Sequence, residues 1–170
     1  TIAGTGNTGS TNGTGTSASF TTPYGITTDG TNLYVTNRNN LIRQIVISTV
    51  VVTTVAGTGS SGSSNGTGTS ASFDEPQGIT TDGTNLYVAD KSNNLIRQIV
   101  ISTGVVTTLA GTGSRGTADG TGTSASFNEP KGITTDGTNL YVADTENNLI
   151  RKIVISTGVV TWVAGTGSSG

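Results

Sequence analysis

The chain has 170 residues and a formal net charge of −2, with 11% charged residues, 26 glycines, and no cysteine, methionine or histidine. That charge balance excludes the electrostatic attraction on which nucleic-acid binding rests. The missing cysteine excludes a disulfide framework and thiol chemistry, and the missing histidine removes the commonest general base and metal ligand. No apolar run approaches the roughly 20 residues that span a bilayer, so membrane insertion is not expected.

Thr1-Ile-Ala-Gly-Thr-Gly6 opens the chain with the string that recurs near its end, Thr161-Trp-Val-Ala-Gly-Thr-Gly167. It reads as the tail of a strand from a preceding unit. It is either a stub or a spare strand that adds to a neighbouring chain's edge. A polar stretch follows up to Phe20, and its equivalents lead to Phe73 and Phe127, with starts 53 and 54 residues apart. A fixed period in this range marks a stacked or radial repeat architecture.

The second unit shows the plan. Gly78–Asp82 is a short strand opened by Pro76, which belongs at a strand's start. Asp82–Asn85 is a turn, in which glycine tolerates positive φ and Asp bonds its own backbone. Leu86–Asp90 is the second strand, 91–94 a polar connection, Leu95–Ile101 the third strand and Ser102–Gly104 a turn. Val105–Ala110 is the fourth strand. Four short strands with tight links predict an antiparallel meander. In the third strand Leu95, Ile99 and Ile101 share one side while Ile96 and Val100 share the other, so each sheet is expected to lie between two others.

Gly111–Ser126 and its equivalents carry the chain between units. Each ends in a Phe that plugs the space between sheets, and the Ser/Gly-rich first half is expected to be a mobile surface loop. The first unit lacks one residue in its polar connection and has Val50 where Gly104 and Gly158 make the turn. A β-branched residue resists positive φ, which predicts a different turn type there.

The pattern Phe-x-x-Pro-x-Gly-Ile, then Asn-Leu-Tyr-Val-Ala-Asp, then Asn-x-x-Ile-Arg-Lys-Ile resembles the NHL repeat. The preamble Asp119-Gly-Thr-Gly up to Phe127 resembles bacterial extracellular versions. The resemblance implies an all-β fold of β-propeller blades, usually six in that family. One departure is Asn93-Asn94 and Asn147-Asn148, where the family often has Asn-His. Related propeller enzymes depend on a histidine-bound metal, which this chain cannot supply, so no catalytic, cofactor or metal residues are assigned and no cofactor is expected.

The expected organisation is a stub and linker over 1–19, blade 1 with linker over 20–72, blade 2 with linker over 73–126 and blade 3 over 127–170. Three blades cannot close a ring of about four to eight. Two chains of three make six with C2 symmetry, so the expected partner is a second copy, in a homodimer or a filament-like assembly. The alternative is a module that holds a protein, peptide or glycan on one propeller face. A further alternative is a designed or excised fragment with no function of its own. The Ser/Thr-rich, charge-poor composition suggests a secreted or cell-surface bacterial protein, or a recombinant fragment.

Several candidate residues follow from the repeat. Asp90 with Arg97, and Asp144 with Arg151, flank the same connection, where they serve as structural pairs or as a charge ring facing a ligand. The first unit has Asn37 and Arg43 there, which would break such a ring. Trp162, Ile2 and Val163 are candidate interface residues. Gly57-Thr-Gly59-Ser-Ser-Gly62 spells a dinucleotide fingerprint but lacks the helix that gives it meaning. Asp119 suggests a calcium loop, yet its equivalents are Asn12 and Asn65. Asn12-Gly-Thr14 and Asn65-Gly-Thr67 match the glycosylation acceptor.

Overall fold

The computed structural model describes residues 1–168 and holds three sheets built on one plan, with no α-helix among those residues. In the first sheet β1 is Gly13–Thr14, β2 Pro23–Thr28, β3 Asn32–Asn37, β4 Leu41–Val46 and β5 Val51–Ala56. The second has β6 (Gly66–Thr67), β7 (Pro76–Thr81), β8 (Asn85–Asp90), β9 (Leu95–Val100) and β10 (Val105–Ala110). The third has β11 (Gly120–Thr121), β12 (Pro130–Thr135), β13 (Asn139–Asp144), β14 (Leu149–Val154) and β15 (Val159–Ala164). The four long strands of each sheet form the expected antiparallel meander, and β2, β7 and β12 lie side by side at the hub. The sheets are three β-propeller blades.

Each blade also has a fifth strand that the meander lacked. The two residues Gly13–Thr14 pair with Val52 and Val51, and the same happens at β6 and β11. The polar stretch before a blade is therefore stitched to that blade's own outer edge. Its first half is not a loose loop. The Gly62 N–H donates to the Phe73 carbonyl at 3.1 Å, the Ser64 N–H to the Ser72 hydroxyl at 2.9 Å, and Asn93 Nδ2 to the Gly62 carbonyl at 2.7 Å. A segment without periodicity still has backbone donors to satisfy, and here side chains and the blade edge take them.

The turn at Val50 is likewise not of a different type. Val50 sits at φ +54°, beside +70° for Gly104 and Gly158, and the Val50 N–H bonds to the Val46 carbonyl at the same 2.8 Å as its glycine counterparts. The Val50 carbonyl accepts the Gly15 N–H at 2.9 Å, which holds the linker. Keeping that anchor forces a β-branched residue into the left-handed region. Val50→Gly should therefore stabilise the chain by about 1 kcal/mol, read as a rise in the denaturant midpoint with an unchanged slope.

The hairpin between the first two long strands of each blade is closed by Asp29, Asp82 or Asp136. Asp29 Oδ1 accepts the Thr31 and Asn32 amides at 2.8 and 2.7 Å, and Oδ2 accepts the Tyr34 hydroxyl at 2.9 Å. Burial alone would raise the Asp29 carboxyl, but donation from Asn32, Thr31 and Tyr34 outweighs it and holds the group at about 2. Burial, helped by Asp29, pushes the Tyr34 hydroxyl up to about 12. Asp82 and Asp136 are lowered in the same direction. A carboxyl lowered on folding contributes stability that is fully present above its unfolded value of about 4 and is lost as pH falls through its folded value. Stability should thus drop between pH 4 and 2, and Asp29→Asn should flatten that drop in a series of denaturant titrations.

Blade faces pack on one another. Tyr34, Ile42 and Ala56 of blade 1 meet Phe73, Leu86, Val88, Ile99 and Val106 of blade 2. The next junction repeats this with Tyr87, Ile96 and Ala110 against Phe127, Leu140, Val142, Ile153 and Val160. Phe73 and Phe127 are fully buried between blades. No helix of the described residues is long and apolar enough to cross a membrane.

Candidate functional site

Each blade contains one arginine with no exposed surface: Arg43, Arg97 and Arg151. The third strand places it, and the linker in front of the blade receives it. Arg97 Nη1 donates to the Ser72 carbonyl at 3.0 Å. Its Nη2 donates to the Ser64 carbonyl at 3.1 Å and to Asn65 Oδ1 at 2.9 Å. Its guanidinium lies over the Phe73 ring, 5.2 Å from the centroid, with the same stacking at Phe20 and Phe127. A planar donor fork can close a linker, a strand and an aromatic plug into one unit, which a lysine could not do.

The three copies differ in how many carboxylates compensate the cation. Arg97 meets Asp90 at 2.9 Å, and both side chains are fully buried. Arg151 meets Asp144 at 3.1 Å and a second carboxylate, Asp119, at 2.8 Å. Arg43 meets none. It bonds to the Ser19 and Thr11 carbonyls and to Asn12 Oδ1, and burial lowers its pKa. Asn37, in the place of Asp90, is buried with both side-chain polar atoms unpartnered. Asp90 also accepts the Asp74 N–H at 2.8 Å and Asn93 Nδ2 at 2.8 Å. Asn12, Asn65 and Asp119 thus all give an oxygen to a buried arginine, which accounts for a carboxylate at only one of the three. The fingerprint at Gly57–Gly62 leads into the two-residue β6, and not into a helix.

The contacts between blades rest on residues that sequence reasoning passed over. A Cβ on Gly25 would collide with the Gln77 carbonyl, and one on Gly78 with the Lys131 carbonyl. Asn40 Oδ1 accepts the Glu75 N–H at 2.9 Å, and Asn94 Oδ1 accepts the Glu129 N–H at 3.0 Å. On the surface Lys91 bridges Glu75 at 2.9 Å and Glu129 at 3.5 Å, tying blades 2 and 3. The available signal was the repetition of glycine and asparagine at fixed places.

The two end flanks lack such partners. Ile26 on blade 1 is 61% exposed, where its counterpart Ile79 is 6% exposed. A groove of about 340 Å³ beside it is lined by Phe20, Val35 and Ile45 among others. On blade 3, Ile150 is 41% exposed, where Ile42 and Ile96 are fully buried. Ala164 and Val163 are exposed on the same flank, whereas Ala56 and Ala110 are buried. Trp162 pairs with Arg151 and so lies on the opposite face of that sheet, at the outer rim, 58% exposed. Ile2 is 63% exposed.

No family model matches the chain. It is 39% identical over 97 residues to NHL repeat-containing protein 2 of Gallus gallus, covering 56% of this chain and 13% of that relative. An auxiliary nutrient binding protein of Bacteroides thetaiotaomicron VPI-5482 has a similar structure, with a TM-score of 0.65 and 26% identity over 78% of this chain and 35% of that one. The chain's three repeats are similar to NHL repeats. A chain of the nidogen/laminin complex has a similar fold at a TM-score of 0.64 and 18% identity, covering 85% of this chain and 48% of that one. The chain spans about an eighth of the length of the avian relative.

Proposed function

We propose that this chain is a non-enzymatic propeller scaffold whose partner is a second copy, two three-blade halves closing a six-bladed ring with C2 symmetry. The observation that carries this reading is Gly132. In blades 1 and 2 the equivalent glycine is required because the next blade's carbonyl lies against it, whereas Gly132 meets only the Ala143 Cβ at 3.4 Å. Blade 3 thus keeps an opening shaped for a carbonyl, and in a second copy the matching group is that of Tyr24. Asn148, at φ +55° like Asn94, likewise stands where it would accept the Thr22 N–H of that copy. The exposed apolar flanks supply the driving force, because burying such faces is favourable in proportion to their area.

The arginine clusters serve this scaffold as architecture. Groups without exposed surface cannot touch a ligand, so their role is to lock linker to blade. The test is the mass in solution across micromolar to millimolar concentration. A species of twice the 17.0 kDa chain mass is expected. A lone single-chain species with strand-rich circular dichroism at every concentration overturns the reading.

A second reading, a binding module for a protein, peptide or glycan, draws on the shallow groove of about 300 Å³ along the hub strands, lined by Tyr24, Gln77 and Lys131 with three glycines. A peptide and glycan array with no binder would leave scaffolding alone.

A further inference from the structure

We propose that Thr1–Gly6 is a self-plug: it occupies, on blade 1, the seat that Ala164–Gly167 of a second copy must enter to close the ring, and closure ejects it. This rests on the ring reading above.

The same three features recur at the two inner junctions and at the open flank. At the junctions the Gly57 N–H donates to the Gly68 carbonyl at 3.2 Å and the Gly111 N–H to the Gly122 carbonyl at 3.1 Å. At the flank the Gly4 N–H donates to the Gly15 carbonyl at 3.1 Å. The glycines share one backbone conformation, φ +113° at Gly4, +109° at Gly57, +108° at Gly111 and +103° at Gly165. Ala56 and Ala110 sit in the inter-blade cores, and Ala3 packs on the equivalent cluster of Ala18, Val35, Ile45 and Val52. The first residues therefore occupy the place that the end of the preceding outer strand takes at the inner junctions. Ala164, the fourth member of the series, is exposed on blade 3.

One seat cannot hold both Ala3 and the second copy's Ala164. The difference in anchoring decides which yields. Ala164 and Trp162 are paired with Ile150 and Arg151 in the ladder of β14 and β15. Residues 1–3 belong to no strand, and the segment is held by the Gly4 bond and by the Thr5 N–H to the Ala18 carbonyl at 2.8 Å. Two backbone hydrogen bonds are worth about tenfold in an equilibrium constant.

Sedimentation equilibrium on the full chain, on a chain lacking residues 1–6, and on Ala3→Glu and Ala164→Glu tests the proposal. Both altered alanines lie at the surface or near the terminus, so all four chains should fold. Removal of residues 1–6 and Ala3→Glu should each tighten the dimer about tenfold or more per junction, while Ala164→Glu should abolish it. Hydrogen exchange should show the Gly4 and Thr5 amides protected in the monomer and open in the dimer. If the full chain dimerises but losing residues 1–6 weakens or leaves unchanged that dimer, or the two amides stay protected in it, the plug is wrong while the ring stands. If all four chains remain single at every concentration, ring and plug both fall.

Discussion

Replacing Arg97 by alanine is expected to cost about 3–5 kcal/mol of stability, the range for removing one member of a buried ion pair. The Asp90 carboxylate would stay buried with its cation gone, and the Ser72 and Ser64 carbonyls and Asn65 Oδ1 would lose their donor. The Phe73 ring would also lose the guanidinium stacked on it. The same change at Arg43 should cost clearly less, because no carboxylate is stranded there. The complementary change is Asn37→Asp, which places a carboxylate beside a buried, uncompensated guanidinium and relieves two unpartnered polar atoms. It should raise stability by about 1–2 kcal/mol, the scale of hydrogen bonds to charged groups after desolvation. Denaturant unfolding of the three variants checks the order. If Arg43→Ala and Arg97→Ala cost the same, the carboxylate is not what separates the blades.

The second large effect is a split between folding and association at one repeated glycine. Gly78→Ala puts a Cβ into the Lys131 carbonyl at an inner junction, so it should lower stability by about 1–3 kcal/mol, the range for overpacking. Gly132→Ala puts a Cβ in ordinary contact with the Ala143 Cβ, 3.4 Å away, and with no neighbouring carbonyl, so it should leave the single chain's stability within about 0.5 kcal/mol. In the ring that Cβ would meet the Tyr24 carbonyl of the second copy, so the same variant should weaken the dimer by an order of magnitude or more per junction. Equal dimerisation of Gly132→Ala and the unaltered chain would remove the observation on which the ring rests. A correspondingly large loss of single-chain stability would show that Gly132 serves its own blade.

The repeat made much of this molecule readable without coordinates. Period, strand count along the meander and the Phe plugs follow from local pattern, because a strand's alternation and a turn's Asp-Gly are set by neighbours in sequence. The pairing of Asp90 with Arg97 was visible because both flank one short connection. The full burial of that pair was not, since arginine ordinarily keeps its head in water. The fifth strand was hidden because Gly-Thr carries no periodicity, and it forms only where the outer strand offers unpaired groups. Val50 misled because a local steric preference, worth about 1–2 kcal/mol, is overridden by a turn that must present its carbonyl to Gly15.

By itself the sequence determined the unit, its copy number and the chemistry it lacks, since these depend on residue type and spacing alone. Only the tertiary structure decided which faces are covered and which are bare. It showed that a neighbouring carbonyl lies against Gly25 and Gly78 but not against Gly132, and that Ala3 packs on the Val35 and Ile45 flank of blade 1. Such facts arise from contacts between units, and near-identical units become different only through what lies beside them.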